Sequence, residues 1–362
     1  MNQPWPKPWQ TPSLQAAAVY RARVRGCLLG GAIGDALGYQ VEFSTLDRIR
    51  AAHGPRGVTG FVLGTPGAVG LISDDTQMTL FTVEALVQAR TQPRESWSLV
   101  LRQAYERWLR TQSQRGPEQP APGEPAASAG GLVTEAWLYS RRAPGNACLS
   151  GVAQMYAPDP ALPLDGSPGE VNPDSKGCGT VMRSAPFGLV APADAAFAMA
   201  ARGAQITHGH PTGYYAAGAF AAIVAHLVAG DGLQGAVLRT LRLLERHQGH
   251  TETSAALRAA LDLADGGAPT AEKVESLGAG WIAEEAVAVA VYCALAEPDP
   301  EAALLLSVNH SGDSDSTGSV CGNLLGAWHG DTGLPHGWVA RVEGRDRIAA
   351  LADDLAAAYT QG

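Results

Sequence analysis

The chain has 362 residues, a mass of 37.5 kDa, 26 basic and 35 acidic side chains, and a formal net charge of −9. That acidic balance excludes a general nucleic-acid binder, which needs a basic face to neutralise phosphates. An apolar fraction of 46% excludes wholesale disorder, and a chain this long buries roughly three quarters of its unfolded surface without help from disulfides or metals.

The N-terminal stretch is Pro-rich and carries Trp5 and Trp9. Pro6, Pro8 and Pro12 deny it a regular helix, so an extended arm is placed at residues 1–18, ahead of a domain spanning 19–362. It has no apolar core and does not read as a secretory signal. A helical pattern nevertheless begins near Leu14 and runs to about Gly38. In it Gly26, Gly30, Gly31 and Gly34 recur at roughly helical spacing. Each costs about 1 kcal/mol against Ala, so a close helix contact or a ligand is expected to offset them. Residues 51–72 are punctuated by Gly and Pro and read as loop. The next helix is predicted from Ser73-Asp74-Asp75 to about Arg90, halted by Pro93. From about Arg94 to Thr111, residues Trp97, Leu101, Ala104, Tyr105 and Trp108 fall on one face of an amphipathic helix, which predicts a core contact.

Two long loops follow, at 116–131 and 157–175. Loops of that length inside a domain are usually functional or disordered. Beyond Val181 the pattern is helical almost throughout. Pro211 and Pro300 stand where prolines open helices. The apolar run from Tyr214 to Gly230 falls short of a membrane span and predicts a buried core helix, so no membrane partner is expected. No alternating strand pattern and no repeat is found. The five cysteines (27, 148, 178, 293 and 321) are scattered and never spaced as CxxC. This argues against a disulfide framework or thiolate zinc site and for a reducing cytoplasm.

Two acidic clusters carry the chemistry. Ser73-Asp74-Asp75-Thr76 opens one predicted helix, and Gly312-Asp313-Ser314-Asp315-Ser316-Thr317 opens another. Either one alone reads as a helix cap, because Ser and Asp are favoured at N-termini and acids complement the helix dipole. Together they supply four carboxylates with flanking hydroxyls, an all-oxygen set suited to Mg²⁺, Ca²⁺ or Mn²⁺ over Zn²⁺. If the two helix starts converge, they can hold two cations bridged by one carboxylate. Ser175-Lys176-Gly177-Cys178-Gly179 is a Gly-rich segment whose backbone can approach a pyrophosphate. Gly179 is the position where added bulk is expected to block that approach. Lys176 reads as a phosphate contact or an exposed loop lysine. His208 and His210 are spaced i, i+2, which is not a helical metal pair.

Five ordered blocks, GCLLGGAIGDALGYQVEF (26–43), SDDT (73–76), SKGCGTVMRSAPFGL (175–189), ITHGHPTGYYAAGAF (206–220) and GDSDSTGSVCGNLLGA (312–327), resemble the ADP-ribosylglycohydrolases. The resemblance runs from about residue 22 to residue 330. It implies an all-α fold, a compact single-domain orthogonal helical bundle, with two Mg²⁺ (or Mn²⁺) ions. By the same resemblance Ser73, Asp74, Asp75, Asp313, Asp315 and Ser316 match the metal ligands, with Asp315 shared by both ions. The family commonly has Thr at the first and last of these six positions. Asp35 matches a supporting residue. Glu42 matches an acidic residue that lies beside the metals and gates the cleft in some members; a structural salt bridge is the alternative. Ser175, Gly177, Cys178, Gly179 and His208 match the substrate-binding positions. Cys178, where many relatives have Asn, is not expected to be a nucleophile.

The implied activity is metal-dependent removal of ADP-ribose from modified acceptors, foremost arginine in proteins. A metal-polarised water would attack C1″ of the distal ribose, with Asp74, Asp75 or Glu42 as catalytic base. The implied partners are ADP-ribose and ADP-ribosylated protein. The alternatives are an O-linked substrate (ADP-ribosylserine or O-acetyl-ADP-ribose) and a non-catalytic ADP-ribose- or partner-binding module.

Overall fold

The computed structural model describes residues 14–65, 68–118 and 131–360. Their α-helices are α1 (Leu14–Gly38), α2 (Leu46–His53), α3 (Asp74–Ala89), α4 (Trp97–Ser113), α5 (Asn146–Ala153), α6 (Ala185–Val190), α7 (Ala193–Ala204) and α8 (Pro211–Ala229). They continue with α9 (Leu233–Leu244), α10 (Thr251–Ala264), α11 (Ala271–Glu275), α12 (Ala283–Ala296), α13 (Pro300–Val308), α14 (Ser314–His329), α15 (His336–Val339) and α16 (Arg345–Thr360). Among the described residues extended pairing is confined to isolated bridges, Gly70 with Val342 and Gly177 with Ile282. The expected all-α architecture is the one observed.

One boundary is corrected. Helix α1 starts at Leu14, inside the stretch assigned to the arm. The segment LQAAA lacks proline and favours helix, so the Pro-rich composition ahead of it does not reach this far. Trp5, Trp9 and the rest of the arm lie outside the described residues, as does most of the 116–131 loop.

The α1 glycines are explained by their partner. Helix α1 runs antiparallel to α14 with the two backbones in direct contact. A Cβ on Gly26 would lie 2.4 Å from the carbonyl oxygen of Gly326, on Gly30 2.2 Å from that of Gly322, and on Gly34 1.9 Å from that of Gly318. No side chain fits at these crossings, and a helix contact accounts for these three glycines. The consequence for function is direct. The C-terminal end of α1, with Asp35 and the turn carrying Glu42, is brought against the N-terminal end of α14, with Asp313 and Asp315.

Packing elsewhere follows the apolar periodicity. In α4 the predicted face is buried: Trp97, Leu101, Ala104, Tyr105 and Trp108 all lie in the core. The polar tips there find partners, since Tyr105 Oη and Thr82 Oγ1 lie 2.8 Å apart and Trp108 Nε1 donates to Gln77 Oε1 at 3.2 Å. Pro211 and Pro300 occupy the first turns of α8 and α13. Helix α8 is long and apolar enough to cross a bilayer by length and composition, yet 89% of its apolar window is buried inside the protein. The run does not fall short of a span, contrary to the reading of the sequence, but the expected core helix is the one observed.

Candidate active site

The site begins with a helix cap. Asp35 is fully buried on α1, and its carboxylate accepts from Ser73 N at 2.9 and 3.0 Å, from Thr76 N at 3.0 Å and from Thr76 Oγ1 at 2.5 Å. It satisfies the free N–H groups at the start of α3 and complements that helix dipole. Its supporting role is thereby accounted for. With Asp35 in that position, Asp74 and Asp75 are left to face the cavity. Ser73 is different from its neighbours. Its Oγ accepts from Asp75 N at 3.2 Å, and it is buried behind the cavity rather than lining it.

The second acidic cluster meets the first at a cavity of about 290 Å³. Of the six residues matched to metal ligands, Asp74, Asp75, Asp313, Asp315 and Ser316 line it. The tightest group is Glu42, Asp313 and Asp315, each offering a carboxylate oxygen within 4.8 Å of the others. Glu42 is held on the turn after α1, where its N–H donates to Gly38 O at 2.9 Å. It forms no ion pair among the described residues, and its Oε2 is buried without a hydrogen-bond partner. The salt-bridge alternative is therefore dropped. The same holds for one oxygen of Asp75, Oδ2, which is buried and unpartnered.

These carboxyls cannot all ionise by themselves. Burial first, and then the charge on Asp315, raises Asp74, Asp75 and Asp313 well above the usual carboxylate range. Glu42 is raised by burial and then by Asp315, Asp313 and Asp74. Buried like charges hold protons unless a cation replaces them. All-oxygen donors, two of them with orphaned oxygens, fit a hard divalent ion. A thermal midpoint that rises with millimolar Mg²⁺ or Mn²⁺ is therefore expected. A cation at a hundred times its Kd adds about 2.7 kcal/mol by mass action. Scanning calorimetry against an EDTA baseline checks this, and a flat midpoint would count against the cation site.

The opposite wall is the Gly-rich segment. Cys178 N donates to Trp281 O at 3.0 Å and Ala283 N to Lys176 O at 2.8 Å, so the segment is laced to the start of α12. Ser175, Gly177, Cys178, Gly179 and His208 all line the cavity. Lys176 does not. Its Nζ lies 2.6 Å from both Glu252 and Glu284, so it anchors the segment and neither expected role holds. The Cys178 thiol donates to Asp313 Oδ2 at 2.7 Å. Burial, and then the charges of Asp313 and Asp75, raise it well above the usual thiol range. His210 caps α8 by accepting from Thr212 N at 3.2 Å.

Contrary to the expectation from the sequence, bulk at Gly179 does not act on the ligand space alone. A Cβ there would lie 2.5 Å from Cys148 Sγ, so added bulk strikes the wall behind the segment as well as the ligand space. Gly177 is the cleaner position. Its φ of −61° suits any residue, and the nearest atom to a Cβ would be His208 Nε2 at 3.2 Å.

Two aromatic residues received no role in the sequence. Phe43 and Trp281 stack at the rim with ring centroids 5.2 Å apart. Both are exposed, 68% and 40%, and Phe43 has φ of +64°, a left-handed conformation that is costly for a bulky residue. An exposed tryptophan in the Gly-rich stretch 278–281 was the available signal. Asn146, Cys148 and Met182 also line the cavity. A second, more open depression of about 810 Å³ shares Asn146, Ala147 and Ser175 with it, leaving room for a ligand larger than one sugar.

Fold and site together define a class: an all-helical protein with a buried acidic cluster facing a glycine-rich ligand segment across one cavity. The sequence profile of the ADP-ribosylglycohydrolases matches residues 16–362, and the chain belongs to that family. It is 26% identical over 328 residues to the ADP-ribosyl-[dinitrogen reductase] glycohydrolase of Rhodospirillum rubrum, covering 89% of this chain and 90% of that protein. It is 29% identical over 180 residues to human ADP-ribosylhydrolase ARH3, covering 42% of this chain and 49% of that one. A solved structure titled ADP-ribosylglycohydrolase-related protein complex superposes with a TM-score of 0.63 over 94% of this chain and 99% of its own. At 24% identity that likeness speaks for the fold alone.

Proposed function

We propose that this protein is a Mg²⁺- or Mn²⁺-dependent hydrolase that releases ADP-ribose from modified acceptors, foremost mono-ADP-ribosylated arginine in proteins. The observation that carries the reading is the convergence of both acidic clusters and Glu42 on the cavity walled by residues 175–179. The near full-length similarity to a protein named as a glycohydrolase of ADP-ribosylated dinitrogen reductase supports a protein-borne ADP-ribose as the substrate, and the similarity to ARH3 spans less than half of the chain. The five free cysteines suit a reducing cytoplasm.

Asp74, Asp75, Asp313 and Asp315, with the Ser316 hydroxyl, would hold two cations. When bound, the cations supply positive charge that fixes ribose hydroxyls and offsets negative charge developing in the reaction. The N–H groups of Gly177 and Gly179, which unlike those of Ser175 and Cys178 are not given to backbone carbonyls among the described residues, bind the diphosphate together with His208, which lets an acidic protein hold an anion. Asp75 and Glu42 each keep a carboxylate oxygen free of hydrogen bonds, so these two are placed to accept a proton from the water that attacks C1″. Phe43 and Trp281 cover the rim, where the acceptor leaves.

The test is release of ADP-ribose from arginine-modified and serine-modified protein, each with and without EDTA. Release from arginine that EDTA stops is the expected result. Preferential release from serine would move the reading to the O-linked class, and binding without release would make it a non-catalytic module. Gly177→Val is expected to weaken ADP-ribose binding at least about tenfold, about 1.4 kcal/mol, with Mg²⁺ binding intact. Calorimetric titration of both ligands on one sample checks it.

A further inference from the structure

Arg183 is 1% exposed and pairs with no carboxylate among the described residues. A guanidinium stays charged, and burying it without a counter-ion is costly. What surrounds it is the face of Tyr105, with the guanidinium carbon 4.6 Å from the ring centroid, two sulfurs (Met78 Sδ at 3.6 Å and Cys148 Sγ at 3.5 Å), and the hydroxyl of Thr207. The last contact is the short one: Arg183 Nη2 donates to Thr207 Oγ1 at 2.5 Å.

Thr207 is itself fully buried and has one proton to give. Two acceptors are near: His208 Nδ1 at 2.7 Å and Ala204 O at 3.4 Å. The 2.7 Å contact is the better placed to take that proton, since the reverse arrangement, with Nδ1–H donating to Thr207 Oγ1, would leave the hydroxyl only the long 3.4 Å acceptor. Accepting from a cation also makes that hydroxyl a better donor. Nδ1 is then the acceptor of the ring, and the ring's own proton must sit on Nε2. His208 lines the cavity, its Nε2 lies 3.2 Å from where a Cβ on Gly177 would stand, and among the described residues no hydrogen bond to Nε2 is found. Burial, and then the nearby Arg183 charge, hold His208 down at about 3, so the ring is neutral.

We propose that Arg183 and Thr207 lock His208 as the Nε2–H tautomer, so that the ring presents one fixed N–H donor to an anionic phosphate oxygen of the bound ligand. The alternative tautomer would aim a lone pair at that oxygen and repel it. A neutral ring also avoids repulsion with cations held across the same cavity. Thr207 and Arg183 are positioning residues in this scheme, and His208 touches the ligand. The ligand half rests on the ADP-ribose reading given above. The tautomer half does not.

Histidine ¹⁵N spectroscopy on the free wild-type protein tests the lock first, with His208→Gln identifying the resonance. A protonated Nε2 and bare Nδ1 are expected across neutral pH. A protonated Nδ1, or an averaged pair, would overturn the lock without any variant having to fold. ADP-ribose is then titrated into wild type, Thr207→Val and Thr207→Ser. The expected pattern is a shift of the Nε2 proton on binding, about tenfold weaker binding in Thr207→Val, and recovery in Thr207→Ser, with Mg²⁺ affinity constant across the three. Unchanged ADP-ribose affinity in Thr207→Val would overturn the ligand half. Absence of ADP-ribose binding in wild type would sink the functional reading with it, while the spectrum of the free protein still decides the lock.

Discussion

Asp315→Ala is expected to abolish tight divalent-cation binding and to lower turnover at least about a thousandfold, while the fold survives. The size follows from position. Asp315 is the charge that recurs among the causes raising Glu42, Asp74, Asp75 and Asp313, so it sits at the centre of the acidic group. Three decades correspond to about 4 kcal/mol of barrier, within the several kcal/mol that a hard cation supplies by charge stabilisation. The sign of the stability change is opposite to that of an ordinary buried deletion. In EDTA one source of repulsion among buried carboxyls is gone, so the variant is expected to melt at least as high as the parent. With Mg²⁺ the parent gains stability and the variant does not. Calorimetric Mg²⁺ titration together with ADP-ribose release checks both halves. Wild-type affinity and turnover in the variant would remove the shared-ligand role.

The second large effect is structural. Gly322→Ala is expected to destabilise the protein by about 3 kcal/mol or more, and Gly235→Ala to stabilise it by roughly 0.5–1 kcal/mol. Both are glycines inside helices, α14 and α9, so intrinsic propensity favours Ala at each. The surroundings decide the outcome. A Cβ on Gly322 would lie 1.9 Å from Gly30 O, and a backbone carbonyl cannot swing aside as a side chain can. A Cβ on Gly235 meets nothing within 4 Å. Chemical denaturation of the two variants beside the parent checks the pair of signs. A neutral Gly322→Ala would mean that α1 and α14 can separate at little cost. Spreading those helices also moves Asp35 and Glu42 away from Asp315, so the folded fraction of Gly322→Ala is expected to bind Mg²⁺ less tightly.

The local features were legible because they are written in short-range chemistry. The start of α3 at Ser73 followed from a capping residue and first-turn acids, and the buried face of α4 from the spacing of Trp97, Leu101, Tyr105 and Trp108. The glycine series in α1 announced that something comes close, though a ligand and a helix were equally good readings. Composition also misled at one point. Prolines up to Pro12 suggested an arm reaching residue 18, whereas proline acts on its own and adjoining residues and leaves Leu14–Ala18 free to form helix.

Tertiary structure alone decided which groups meet. Periodicity reports that a face is buried and not against what, and a cap motif reports a helix start and not where its acids point. The packing of α1 against α14 groups Glu42 with Asp313 and Asp315, and the Asp35 carboxylate holds the start of α3 so that Asp74 and Asp75 face them. Lys176 took an ion-pair role because Glu252 and Glu284 arrive from helices distant in the chain. Trp281, Arg183 and Thr207 carry no local pattern that marks them, since their partners Phe43, Tyr105 and His208 become neighbours through the assembled packing, or in the last case gain meaning only through it. The sequence by itself marked the long helices, the buried face of α4 and the resemblance to the family, but not α2, whose last turn lies in the stretch read as loop. The distances within the site were set by backbone contacts between elements far apart in the chain, which no local propensity encodes.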